Sequence, residues 1–193
     1  MSALKCYICN MFRRSRLLNL AVAAAVCGIP AIALAQPTAD DLLDRLGQPD
    51  LRNWEVVEQQ LYQTWSQSGS PSADYLLRRG RAAMEAGELE KAYDHLTALT
   101  DHAPGFAEGW NARATLLFQM GAYGPSIADI QRVLALEPRH FAALAGLGII
   151  LEEIGEYEQA LAAYREAHAI HPHRPDIEEA IGRIEQELEG RTL

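Results

Sequence analysis

Apolar side chains along this chain recur at intervals of three and four residues rather than two. Leu144, Leu147 and Leu151 show the spacing, as do Leu76 and Ala83, and it draws the buried stripe of an amphipathic helix instead of the alternation of a strand. Between residues 73 and 174 the stripes come in pairs, with a glycine inside each pair and a proline after it. Gly87, Gly121 and Gly155 stand 34 residues apart, and so do Pro104, Pro138 and Pro172. A period of that length marks a stack of helical hairpins.

The punctuation has a physical meaning at each step. Each glycine falls where a first helix must stop, in the position after the cap that favours a left-handed backbone and penalises a Cβ. Glu88, Glu156 and Glu158 follow at the start of a second helix, where negative charge suits the helix dipole. Pro125 lies in the first turn of the second helix of the middle unit, where no backbone donor is lost. Each closing proline ends the second helix and aims the chain at the next unit. Small residues, Gly80, Ala114 and Gly148 against Ala92, Ser126 and Ala160, let the two helices of a pair cross closely. One pair cannot bury its own apolar face, so the pairs are expected to stack into a solenoid.

Laid under one another, the units 73–106, 107–140 and 141–174 align in columns: Leu76, Trp110 and Leu144; Ala83, Leu117 and Leu151; Leu89, Tyr123 and Tyr157; Leu96, Ile130 and Tyr164. These columns, with the small residues and the closing prolines, resemble the tetratricopeptide repeat (TPR). The third copy matches it best and the first least. The resemblance implies an all-α, right-handed α-solenoid of three hairpins that recognises proteins or peptides without catalysis. It implies a concave groove lined by the first helices, carried over to Leu77, Arg81 and Met84, to Asn111, Thr115 and Phe118, and to Ala145, Ile149 and Glu152. In that groove Asn111 is placed to bond a ligand backbone and Arg81 to meet a carboxylate. The family's clamp for a C-terminal carboxylate is not matched, because Leu77, Ala112, Ala142 and Gly146 occupy places where it has polar or basic residues. Arg79 and Arg113 replace a frequent Leu, which implies structural ion pairs.

The flanks are helical too. Residues 40–46 and 50–65 read as two helices, the second with Leu51, Trp54, Val57, Leu61 and Trp65 on one stripe. Segment 36–72 is thus expected to cap or extend the stack as a degenerate repeat, its tryptophans packing on Leu76 and Leu77; a partner-binding use of Trp54 or Trp65 is the alternative. Residues 175–193 form a capping helix with Ile177, Ile181, Ile184 and Leu188 inward and six acids between Asp176 and Glu189 outward.

The first 35 residues differ in kind. Arg13, Arg14 and Arg16 precede the apolar run 17–34, and Ala33-Leu34-Ala35 is a small-x-small cleavage signal. This reads as a secretory signal peptide cleaved after Ala35, with Met11 as an alternative start. A membrane anchor is the competing reading, and Asn19, Gly28 and Pro30 interrupt it. The expected location is the periplasm of a Gram-negative bacterium. Cleavage removes Lys5, three arginines and no acid, so 13 basic residues face 26 acidic ones. It also removes Cys6, Cys9 and Cys27, which excludes disulfides, thiol catalysis and cysteine-based zinc sites from the exported chain. The acidic balance argues against nucleic acid and anionic membranes as partners.

Residues 36–193 carry no GxSxG, HExxH, phosphate-binding loop, GxGxxG or paired-cysteine motif. An enzyme is therefore not expected, nor a resident metal or cofactor. The alternative is a metal- or haem-binding carrier built on His168, His171 and His173, with His102 and His140 in the equivalent turns; the plainer reading makes these solvated turn residues near helix ends. A groove filled by the protein's own N-terminal helix or by a second copy is a further possibility, so self-association stays open.

Overall fold

The computed structural model describes residues 37–191, within a compact unit that spans Pro37–Leu193. The leader read over residues 1–35, with its cleavage after Ala35, lies outside the described residues. Among the described residues there are helices and no strands: α1 (Ala39–Leu46), α2 (Trp54–Trp65), α3 (Pro71–Glu85), α4 (Leu89–His102), α5 (Ala107–Gln119), α6 (Tyr123–Leu136), α7 (Phe141–Glu153), α8 (Tyr157–Ile170) and α9 (Pro175–Arg191). None of them is long and apolar enough to cross a membrane.

The three hairpins are α3 with α4, α5 with α6 and α7 with α8, and each packs on the next through the second helix of one and the first helix of its neighbour. The first helices α3, α5 and α7 also touch in sequence and form one continuous face. The hairpins close alike because Gly87, Gly121 and Gly155 take φ of 72°, 72° and 83°. That left-handed step lets Glu88 N–H reach Ala83 O at 2.8 Å, as Ala122 reaches Leu117 and Glu156 reaches Leu151, so three orphan carbonyls are satisfied in the same way. Ala92, Ser126 and Ala160 are fully buried at the crossings, and the Ser126 hydroxyl is satisfied by donating to Ala114 O at 2.7 Å.

The expected ion pair forms at Arg113. Its Nε and Nη2 donate to the two carboxylate oxygens of Asp129 at 2.7 and 2.8 Å, and Nη1 donates to Thr100 Oγ1 at 2.8 Å. Hydrogen bonding to Asp129 holds the guanidinium's pKa above its ordinary value. Arg79 is instead exposed and forms no ion pair among the described residues.

The N-terminal pair departs from expectation. Asp50 to Asn53 is a turn, so α2 begins at Trp54, with Val57 N–H on Asn53 O as its first helical bond. Nor do the tryptophans sit on Leu76 and Leu77. Leu77 belongs to the core of the first hairpin, with Ala73, Leu96 and Leu116, whereas Leu42, Leu46, Leu61 and Trp65 share a core with Phe141, Leu144 and Ile177. The reason is the turn at residues 66–70. Gly69 takes φ 77°, and Ser68 donates through both its N–H and its hydroxyl to Asp74 Oδ1. Folded back by that turn, α2 runs along the face of the first helices toward the far end of the array, and α1 packs on α2. At that end α9 packs on α8 and buries Ile177 and Ile184.

Candidate functional site

The first helices present an apolar trough of about 390 Å³, walled by α5, α7 and the start of α9, with Tyr62 of α2 along one side. Phe118, Ile149 and Ile177 supply apolar wall, and Asn111, Thr115 and Arg174 supply polar groups. Thr115 donates its hydroxyl proton to Asn111 O at 3.0 Å, which leaves oxygen lone pairs able to accept. Asn111 donates through Nδ2 to Glu108 at 3.1 Å, which leaves its carbonyl as an acceptor. Burial, with the nearby Glu58 charge, pushes the Tyr62 phenol up to about 12, so it stays protonated at neutral pH. Arg174 is already engaged: Nε and Nη2 grip Asp176 at 2.7 and 2.6 Å, and Nη1 donates to Glu58 at 2.7 Å.

Beside the trough α2 covers the rest of the face. Trp65 stacks on His140, Trp54 meets His171 edge-on at 5.4 Å, and it stacks on His173 at 6.3 Å. His173 Nε2–H donates to Gln48 O at 2.8 Å. His140 Nδ1 accepts from Ala143 N–H at 3.1 Å, which caps α7 and assigns the ring proton to Nε2, 3.2 Å from Glu108. Glu108 also receives Arg81, whose other nitrogen donates to Ser66 Oγ at 3.0 Å. One buried carboxylate thus joins all three hairpins, and Arg81 extends the link to the end of α2.

The structure brings together Asn111, Thr115, Phe118, Ala145 and Ile149 in the trough, with Arg81 and Met84 in an adjoining cleft that shares Asn111 and Thr115. Two of the expected groove residues lie elsewhere. Leu77 is 1% exposed in the hairpin core. Glu152 is turned onto α9, where Arg183 donates to both its oxygens at 2.8 and 2.9 Å and Tyr164 O–H donates at 3.2 Å; the Arg183 hydrogen bonds hold its carboxyl below the ordinary range. His168, His171 and His173 do not converge on a metal, and among the described residues no group of three or more His, Cys, Asp or Glu is arranged to hold one. Two of the turn histidines are not solvated: His140 and His171 are fully buried, because α2 lays its tryptophans over them, whereas His102 is exposed. Tyr62, Arg174 and Ile177 were not anticipated as site residues. The eleven-residue spacing of Trp54 and Trp65 shows that α2 has an aromatic face but does not say what it meets.

Residues 111–175 match the Tetratricopeptide repeat family. A TPR repeat-containing protein of Rhizobium etli is 36% identical over 126 residues, 65% of this chain and 62% of that protein, so the chain spans less than two thirds of its relative's length. Among solved structures, the Sgt2 TPR domain from Aspergillus fumigatus superposes with a TM-score of 0.60 at 22% identity, covering 64% of this chain and 83% of that one. The first TPR of Spaghetti (RPAP3), bound to the HSP90 peptide SRMEEVD, gives 0.60 at 21% identity, over 62% and 95% of the two chains. At these identities the two structures show a common fold. The molecule is therefore an all-α helical-repeat protein. Within it, residues 111–175 match the tetratricopeptide repeat.

Proposed function

We infer that this chain is a non-catalytic protein-interaction adaptor of the periplasm, and that it holds an internal, apolar segment of a partner protein in the trough between α5, α7 and α9. The observation that carries the reading is the trough itself: apolar walls for side chains, and acceptors on Thr115 and Asn111 for backbone N–H groups. A preformed groove adds affinity because the receptor need not be ordered on binding. That a related fold holds an HSP90 peptide supports a peptide ligand as such. A terminal carboxylate is a poorer fit, since Arg174 in the trough is already bonded to Asp176 and Glu58. The periplasmic part rests on the arginines, apolar run and Ala33-Leu34-Ala35 of the leader; N-terminal sequencing of the exported chain is expected to begin at Gln36.

A photo-crosslinking amino acid at position 149, in the full chain produced in its own host, tests the trough. Ile149 is 42% exposed, so the change is tolerated. One partner segment, mapped by mass spectrometry and lost on Thr115→Arg, is the expected result. Absent or scattered crosslinks, or crosslinks indifferent to Thr115→Arg, would sink the reading.

A further inference from the structure

The helix α2 treats the face of the repeats as a ligand would. Trp54 and Trp65 lie eleven residues apart, three helical turns or about 16 Å. Between them Glu58 and Tyr62 fall on the same side, and each of the four meets a residue of the array or the turn after it: Trp54 on His171, Glu58 on Arg174, Tyr62 beside Phe141 and Trp65 on His140. The backbones of α1 and α2 pack on each other, while α2 shares a core with the repeats through these side chains and the buried Val57 and Leu61.

Charge marks the same surface. The chain is acidic, with 17 basic against 26 acidic residues, yet three arginines of the array converge on the N-terminal pair. Arg139 reaches Asp44 at 2.8 Å and Asp40 at 3.8 Å, Arg174 reaches Glu58, and Arg81 reaches Ser66. The seat offers aromatic rings and arginines, of which Arg81 and Arg174 are also paired within the array to Glu108 and Asp176; its occupant is acidic and aromatic.

The resident helix nevertheless fits imperfectly. Trp65 Nε1 and both ring nitrogens of His171 are buried without a hydrogen-bond partner among the described residues. Glu58 stands 3.5 Å from His171 Nε2 but spends its oxygen on Arg174 at 2.7 Å. Each buried orphan is destabilising, and all three lie in the seam between α2 and the repeats. We propose that this seam is an interaction surface for a helix of a partner protein, acidic and amphipathic, with two aromatic residues three turns apart, which enters in place of α2. Such a helix gains by offering an acceptor to His171 and by leaving no indole nitrogen unpaired. It competes against a helix tethered through residues 66–70, whose effective concentration is about millimolar, so α2 also sets a threshold that weak helices do not pass. This surface adjoins the trough and shares Tyr62, Phe141 and Arg174 with it, but the proposal does not depend on what fills the trough.

Hydrogen exchange on the full chain gives the first test. Amides of 39–65 are expected to exchange through an opening that leaves α3–α8 protected; exchange of both only together would overturn the proposal. The second probe is a labelled synthetic peptide of residues 50–68. It is expected to bind Trp54→Ala/Trp65→Ala at least tenfold more tightly than the unaltered chain, with affinity that falls with salt and on His140→Ala. A Trp54→Ala/Trp65→Ala chain that loses its repeat fold, or that keeps it and does not bind the peptide, makes α2 plain core and overturns the proposal. Sedimentation over a wide concentration range separates the remaining occupant: a dimer that the tryptophan variant cannot form would assign the seat to a second copy of this chain and overturn the partner form.

Discussion

Trp65 lies flat on the imidazole of His140, with ring centroids 4.0 Å apart and planes 10° from parallel. The two residues are 75 positions apart in the chain, and their stack ties the end of α2 to the N-terminal cap of α7. His140 is held from three sides, since its ring accepts from Ala143 N–H and faces Glu108 while the indole covers it. Stacked aromatic pairs contribute about 0.5–1.5 kcal/mol beyond the area they bury. A double-mutant cycle of Trp65→Leu and His140→Gln, read on the exchange of amides 54–65, is expected to return a coupling in that range. A coupling near zero would reduce the stack to two independent burials.

The close crossing of α7 and α8 gives a sharper test, because it opposes local propensity to packing. A Cβ built on Gly148 would stand 2.8–2.9 Å from three atoms of the Tyr164 ring. That ring is buried and its hydroxyl is bonded to Glu152, which Arg183 holds in turn, so it has little room to swing away. Gly148→Ala is therefore expected to lower stability by about 1–3 kcal/mol through overpacking, although alanine is the better helix former. Gly182 of α9 has nothing within 4 Å of such a Cβ. There Gly182→Ala should raise stability by about 1 kcal/mol on propensity alone. Urea midpoints that move the same way for both variants would contradict the packing account.

The contrast between these elements shows how much of the molecule is legible before its coordinates. Gly87, Gly121 and Gly155 announce their left-handed backbone because no other residue sits there without strain, and the amphipathic stripes of α3 to α9 carry their own period. Arg113 was expected to be paired, and its carboxylate partner, Asp129, lies in the same hairpin. What could not be read was long-range and chemically permissive. An aromatic face such as that of α2 can bury itself on many surfaces, and the turn at Gly69, not the stripe, selects the far end of the array. Glu152 stands at a groove position in its repeat, but Arg183 claims it from 31 residues downstream. Leu77 fails for a similar reason, since its side chain is taken into the core of the first hairpin.

The Arg113 pair is expected to be costly to halve and cheap to replace. Asp129 is 5% exposed, and Arg113 also spreads over the Trp110 ring at 4.8 Å. Removing the carboxylate with Asp129→Ala leaves a nearly buried cation uncompensated, a loss of about 3–5 kcal/mol. Replacing both, as Arg113→Leu/Asp129→Leu, removes the charge together with its partner and should recover most of that loss. Equal destabilisation in the single and double variants, measured by urea unfolding, would show that the pair does more than balance charge.

The last expectation concerns pH. His171 is fully buried between Trp54 and Phe141, and burial, then the Arg174 and His173 charges, pushes its imidazole down to about 4 from an ordinary 6.5. Asp176 opposes the shift, and Glu58 stands 3.5 Å from the ring with its oxygen bonded to Arg174. The folded chain thus refuses a proton that the unfolded chain accepts. His171 contributes its full stability above pH 6.5, loses it as pH falls toward 4, and contributes no further slope below that, where both states are protonated. One proton gives a slope of about 1.4 kcal/mol per pH unit and a total of roughly 3 kcal/mol. Asp74, Asp176 and Glu152, all held below the ordinary carboxylate range by hydrogen bonds, add to the decline only at the acid end of the window. Urea midpoints of the unaltered chain and of His171→Leu, taken at several pH values from neutral downward, separate the contributions. The stability of the unaltered chain relative to His171→Leu should fall steadily as pH drops from 6.5 toward 4. A difference that stays constant with pH would mean that His171 takes up its proton in the folded state as readily as in the unfolded one.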